Sequence, residues 1–244
     1  MDKATFTYQA RITATAEVDA ALAGYAGLYT RVERKLHAAI EAGSNPVKLK
    51  SSFLKDYGVT ARQFNAVAIG LKGKLASIKE RRPGLIAELT TKIQKAKAVI
   101  GKLEKRCPGS NKLHQKKRRL AILETRLARL NADKAAEATR LCFGSRRLFR
   151  AQYDLEANGY ANHGEWLKAW QTERANQFMV IGSKDETAGC QGCVATLQAE
   201  GSFSLRLRLP EALITGGKYI TLHGLKFHHG RDVVEKALLL TSNP

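Results

Sequence analysis

The stretch "TFTYQARITATAEVDAALAGYAGLYTRVERKLHAAI" (5–40) changes period partway along, and that change decides the fold class. Over 5–12, Phe6, Tyr8, Ala10 and Ile12 alternate with Thr5, Thr7, Gln9 and Arg11, the period of two that marks a half-buried strand. Val18, Leu22, Tyr25, Tyr29, Val32, Leu36 and Ile40 then recur three or four apart, which predicts an amphipathic helix over 16–42. A single strand thus precedes a long helical region, and its sheet partners must come from much later in the chain.

The later sequence supplies them. "FMVIGS" (178–183), "CVATLQA" (193–199), "SFSLRLRL" (202–209) and "KYITLHGLKF" (218–227) each predict a strand. The third is the clearest: Phe203, Leu205, Leu207 and Leu209 face in, Ser204, Arg206 and Arg208 face out, and Pro210 ends it. "RLCF" (140–143) is apolar enough for a further strand, and 146–174 predicts helix, with Trp166 and Trp170 four residues apart. The expected fold is α+β, a small antiparallel β-barrel of OB-like type interrupted by a long helical insertion. Residues 1–14 supply the first barrel strand, 15–138 the helical domain, and 139–244 the remainder of the barrel.

Inside the insertion, "GSNP" (43–46) stops the first helix, with Gly43 as its C-terminal cap. A short helix follows at 48–57. Thr60 and Gln63 form a capping-box signature for a third, with Phe64, Val67, Leu71, Leu75 and Ile78 inward, and Pro83 and Gly84 are expected to break it. Leu85, Leu89, Ile93, Ala96, Ile100 and Leu103 make a narrow apolar seam, and Leu113, Leu120, Leu123, Leu127 and Leu130 make a second after "RCPGSN" (106–111). Two such helices joined by a Pro-Gly turn predict an antiparallel helical hairpin.

Charge separates the function classes. The chain has 41 Lys+Arg against 22 Asp+Glu, a formal +19. Between Lys72 and Arg150 there are 23 Lys+Arg and 6 Asp+Glu, so +17 of the excess lies in about a third of the length. Solvated helix faces normally mix signs, and this one does not. A polyanion whose counterions are released on contact is the partner such a face fits. No apolar run approaches the roughly 18 residues of a membrane span, and "MDKATFTYQARI" (1–12) lacks a signal peptide's apolar stretch. The expectation is a cytoplasmic, nucleoid-associated protein with nucleic acid rather than membrane as its partner.

"VIGSKDETAGCQGC" (180–193) admits three local readings: a phosphate-cradling loop, half a zinc site, or a polar hairpin connection. The first fails because the glycine spacing matches neither the Walker pattern nor the dinucleotide fingerprint and the following segment predicts strand. A structural zinc site wants four ligands; Cys190 and Cys193 supply two, while Cys107, Cys142, His228 and His229 fall elsewhere. Small residues opening a strand are preferred, and neither metal nor cofactor is expected. Four scattered cysteines make no disulfide framework. There is no nucleophile elbow, no HExxH and no obvious carboxylate pair, so a binding protein rather than an enzyme is expected.

"CFGSRRLFRAQ" (142–152), "LEANGYANHGEWLKAWQTERANQFMVIGSKDETAGCQGC" (155–193) and "LRLRLP" (205–210) together resemble the N-terminal half of transposon-encoded TnpB proteins and their type V CRISPR relatives, which are RNA-guided DNA nucleases. The resemblance covers most of the chain in layout and runs in recognisable motif from Leu141 to Pro210. It implies that the barrel is a wedge domain and the insertion a recognition domain, which together grip the guide RNA scaffold, the guide–target heteroduplex and the flanking double-stranded DNA. Family members continue into a RuvC-like nuclease domain interrupted by a zinc ribbon. This sequence ends at "VVEKALLLTSNP" (233–244), before the first nuclease carboxylate is expected. The resemblance therefore implies a lobe that does not cleave alone: a truncated product, one piece of a split protein whose nuclease domain is a separate chain, or a reduced binding protein.

The candidate phosphate contacts are Lys116, Lys117, Arg118 and Arg119 on the hairpin, and Arg146, Arg147 and Arg150 beyond it. The resemblance adds Lys184, Thr187 and Gln191, while Cys190 departs from the polar residue expected at its position. Tyr8, Phe143, Phe149 and Phe178 are weighed as base-stacking groups against core packing, which is preferred for each. Two alternatives of other classes are a coiled-coil structural or regulatory protein built on the hairpin, and a zinc-dependent regulator using Cys190 and Cys193.

Overall fold

The computed structural model describes residues 6–182 and 191–242, with side chains to 239. The chain divides into two compact units: one draws on the sequence up to Leu71 and from Cys142 onward, the other is Lys72–Leu141.

In the first unit, α1 (Ala16–Glu41) begins where Thr15 accepts the N–H of Val18. It ends in a Schellman turn: the Gly43 N–H bonds the Ile40 carbonyl and the Ser44 N–H bonds that of Ala39, each at 2.9 Å. Tyr25, Leu28, Tyr29, Val32 and Leu36 are buried, while Val18, Leu22 and Ile40 at its ends are half-buried. α2 (Pro46–Tyr57) starts with Asn45 capping Val47 N at 2.9 Å and Pro46 in the first helical position, where a missing N–H costs nothing. The expected capping box opens α3 (Ala61–Arg106): Thr60 N–H donates to Gln63 Oε1 at 2.9 Å and Gln63 N–H to Thr60 Oγ1 at 3.3 Å.

The sheet is antiparallel, with four strands in the order β1–β4–β3–β2. They are β1 (Ala10–Arg11), β2 (Cys193–Leu197), β3 (Phe203–Arg208) and β4 (Tyr219–Phe227). Ala10 pairs with Phe227, so the first strand does return to the last part of the chain, as its isolation in sequence required. β3 is central, with Phe203 and Leu207 buried, as is Leu209 just beyond its end. A register shift between Phe203 and Leu205 falls opposite Gly224, whose φ of +71° lets β4 bulge there. Among the described residues the sheet is open, with β1 and β2 at its edges.

Several local expectations are corrected. The predicted strand over 5–12 contracts to two residues; Phe6 is 74% exposed, because alternation alone cannot bury a face at an edge with no layer over it. Residues 178–182 form no strand: Phe178 stacks on Tyr25 at 4.2 Å, so its apolar surface is spent against α1 rather than in a ladder. "RLCF" (140–143) is irregular too, because Gly144 at φ +82° and Ser145, which caps α5 (Arg146–Ala151) through Leu148 N, set up a helix start. The helix expected over 146–174 divides into α5 and α6 (His163–Arg174), with left-handed Gly159 between them and Asn162 capping Glu165 N at 3.0 Å. α7 (Arg231–Ser242) was not anticipated, although Val233, Val234, Ala237 and Leu238 already carry a helical spacing.

In the second unit, Pro83 does not end α3. Its fixed φ is helical, and the cost is one lost hydrogen bond to Lys79 O, which the apolar flanks outweigh. The inward positions run without a gap across the proline: half-buried Leu75, Ile78 and Leu85 and buried Arg82 and Leu89 keep the three–four alternation, with Arg82 itself only 7% exposed. After a turn at Gly109, Ser110 caps Leu113 N to begin α4 (Asn111–Ala135). Exposed ion pairs Lys97–Glu124 (2.9 Å) and Lys117–Glu104 (2.7 Å) report the antiparallel register, since the two residue numbers add to the same total in each pair. The hairpin seam lies where the leucines put it, with Leu89, Ile93, Ile100 and Leu113 buried.

Candidate nucleic-acid interface

The hairpin unit holds 20 Lys+Arg and 6 Asp+Glu. A seam this narrow buries one side of each helix, so cations at the other positions must face water. Eighteen of the twenty are exposed; the exceptions are Lys74, half-buried, and Arg82, buried. Four of the six carboxylates are taken internally, Glu88 by Lys92, Glu104 by Lys117, Glu124 by Lys97 and Asp133 by Arg140. The hydrogen bond from Lys92, then its charge, holds Glu88 below the usual carboxylate range. The surface that remains is strongly cationic, with only Glu80 and Glu137 as exposed acids outside those pairs.

Lys116, Lys117, Arg118 and Arg119 are consecutive on α4, and all four are exposed. At 100° per residue they fan around the helix rather than forming one row, so together they present charge over a broad arc. Lys117 is tied to Glu104, which leaves the other three to reach outward.

Arg146, Arg147 and Arg150 lie in the first unit, on α5. Leu148 and Ala151 anchor that helix inward, and the Leu148 carbonyl accepts the Trp166 Nε1–H at 2.7 Å, which turns the three arginines to solvent. Beside them Phe149 is 37% and Tyr153 78% exposed, their rings edge to face at 6.5 Å. Exposed aromatic faces among arginines are what a single-stranded nucleic acid uses for base stacking and phosphate contact together. Tyr153 was not singled out from the sequence. Its place three residues after Arg150, just past a six-residue helix, carries no periodic signal.

Lys184 and Thr187 lie outside the described residues. Gln191 is exposed, at a small solvent-open cleft that Tyr25, Gln63, Met179 and Arg208 also line. Of the weighed aromatics, Phe178 is packed on Tyr25 and Phe143 is set edge-on to His37 at 5.6 Å, so both are structural. Cys193 begins β2, and Cys190 is outside the described residues. Among the described residues no three His, Cys, Asp or Glu side chains converge as a metal site, and no helix is long and apolar enough to cross a membrane.

Comparison of the chain with known protein families, with curated proteins and with solved structures returned no match.

Proposed function

We propose that this chain is an RNA- and DNA-binding lobe of the TnpB-like kind, gripping a structured guide-type RNA and its duplex or heteroduplex with DNA, and binding rather than cleaving. On this reading the antiparallel sheet belongs to a wedge-type barrel and the hairpin is the recognition element. The observation that carries it is the strongly cationic hairpin surface, eighteen outward Lys and Arg in a unit with four of its six carboxylates already paired. Backbone phosphates are the dense anion array that such a surface fits, and their contacts position a nucleic acid without reading its sequence. The motif run from Leu141 to Pro210 supports the choice of family.

The test is the salt dependence of binding to a folded RNA. With six or more phosphates neutralised, affinity falls by about three orders of magnitude between about 50 and 300 mM salt. A change of less than about threefold over that range contradicts the reading, because counterion release then contributes little.

A further inference from the structure

The first unit contains a cluster of buried N–H donors without acceptors, all within reach of the "CFGS" (142–145) turn. Arg34 Nε, His37 Nε2, Trp170 Nε1 and Arg174 Nε are each buried with no hydrogen-bond partner. Their placement follows from four contacts. Thr30 Oγ1 donates to the Arg174 carbonyl at 2.7 Å, which sets the end of α6 on α1 one turn before Arg34. His37, on the same face of α1, meets the Phe143 ring at 5.6 Å. Gly144, next along, has Arg174 Cγ 2.8 Å and Trp170 Nε1 3.5 Å from where a Cβ would stand, so only glycine admits the two side chains there. The Arg174 guanidinium then lies 3.9 Å over the Trp170 ring.

The cluster has donors and positive charge but almost no acceptors. Neither Arg34 nor Arg174 has a carboxylate ion pair among the described residues, and Glu41 stands 3.9 Å from His37, beyond hydrogen-bond range. Burial, and then the like charge of Arg34, pull the Arg174 guanidinium below its usual pKa. Two arginines held together in this way are unfavourable unless an anion joins them. An oxyanion is the ligand that offers several acceptors to two guanidiniums at once.

We propose that Arg34, His37, Trp170 and Arg174 around Gly144 form a built subsite for one backbone phosphate of a bound RNA strand. The assignment rests on the nucleic-acid reading above. It is favoured over a free anion because the subsite continues, through Ser145, into the outward Arg146, Arg147 and Arg150 with exposed Phe149 and Tyr153 beside them. A strand can therefore occupy the subsite with one phosphate and the α5 surface with its neighbours. The sequence pointed to "CFGS" only as a motif; the donors it gathers come from α1 and α6, more than a hundred residues apart.

The chain's two tryptophans, Trp166 and Trp170, stack on each other here at 5.3 Å, so tryptophan emission reports on this cluster and on α5, which packs against it. Titrating the full chain with an oligouridylate of about ten nucleotides should change the tryptophan emission in a saturable, salt-dependent way. Arg34→Gln and Arg174→Gln should each weaken binding about fivefold at ~0.1 M salt, lower the log–log salt slope by about 0.7, and reduce or abolish the emission change. Arg34→Lys and Arg174→Lys keep the charge and guard against a folding defect; they should retain the slope. If the wild type binds with a steep slope but the Gln variants match it in slope and emission, the subsite is wrong while the nucleic-acid reading stands. If the wild type shows no salt-dependent binding, that reading falls and the subsite with it. Emission that responds to millimolar inorganic phosphate but not to the oligonucleotide overturns the RNA assignment in favour of a free-anion site.

Discussion

Replacing Lys116, Lys117, Arg118 and Arg119 together with Gln weakens RNA binding about a hundredfold at ~0.1 M salt and lowers the log–log salt slope by about 2. The magnitude comes from three contacts rather than four, because Lys117 is already engaged with Glu104 at 2.7 Å. All four side chains are exposed, so the variant should unfold at the wild-type temperature, and loss of binding is not loss of structure. Equilibrium titrations at several salt concentrations, alongside a thermal melt, separate the two. An unchanged slope would mean that this arc of α4 faces away from the nucleic acid.

Arg82→Ala should have the largest effect on the stability of the hairpin unit, a loss of about 2–4 kcal/mol. Arg82 is buried, and its guanidinium donates to the Asp133 carbonyl at 2.7 Å and to the Ala138 carbonyl. Asp133 belongs to the last turn of α4, whose carbonyls lack helical partners. The Ala136 and Glu137 N–H groups close on Ala132 and Lys134, and Arg82 takes the carbonyl between them. Asp133 also holds Arg140 through its carboxylate at 2.8 Å, so one short stretch is pinned from two sides. Removing the guanidinium leaves two carbonyls without a donor and opens a void in the seam. Hydrogen exchange should show the amides of 134–140 losing protection first, and uniform loss across the hairpin would place the effect elsewhere. Arg82→Lys should recover only part of the stability, since one ammonium cannot reproduce the planar fork that spans both carbonyls.

Arg82 also shows why part of the fold was legible in the sequence and part was not. The seams of the hairpin, the Thr60–Gln63 box and the Gly43 cap are written in local spacing, and each formed where that spacing put it. The break expected at Pro83 did not form, because the continuing seam includes an arginine, which a scan for apolar positions passes over. The strand at 5–12 shortened to Ala10–Arg11, and none formed over 178–182, for a different reason. Whether an apolar stretch pairs or packs depends on what lies across from it, and Tyr25 took Phe178 before a ladder could. The hairpin's charged face needed only counting. The donor cluster at Gly144 needed the fold, because its members come from α1 and α6 and nothing local to either joins them.

The central claim is that the basic lobe grips a particular folded RNA, and sequencing the RNA that co-purifies with the full chain at moderate salt tests it most directly. One enriched structured RNA is expected, lost when Lys116, Lys117, Arg118 and Arg119 are replaced. Bulk cellular RNA without enrichment, retained equally by that variant, would contradict it.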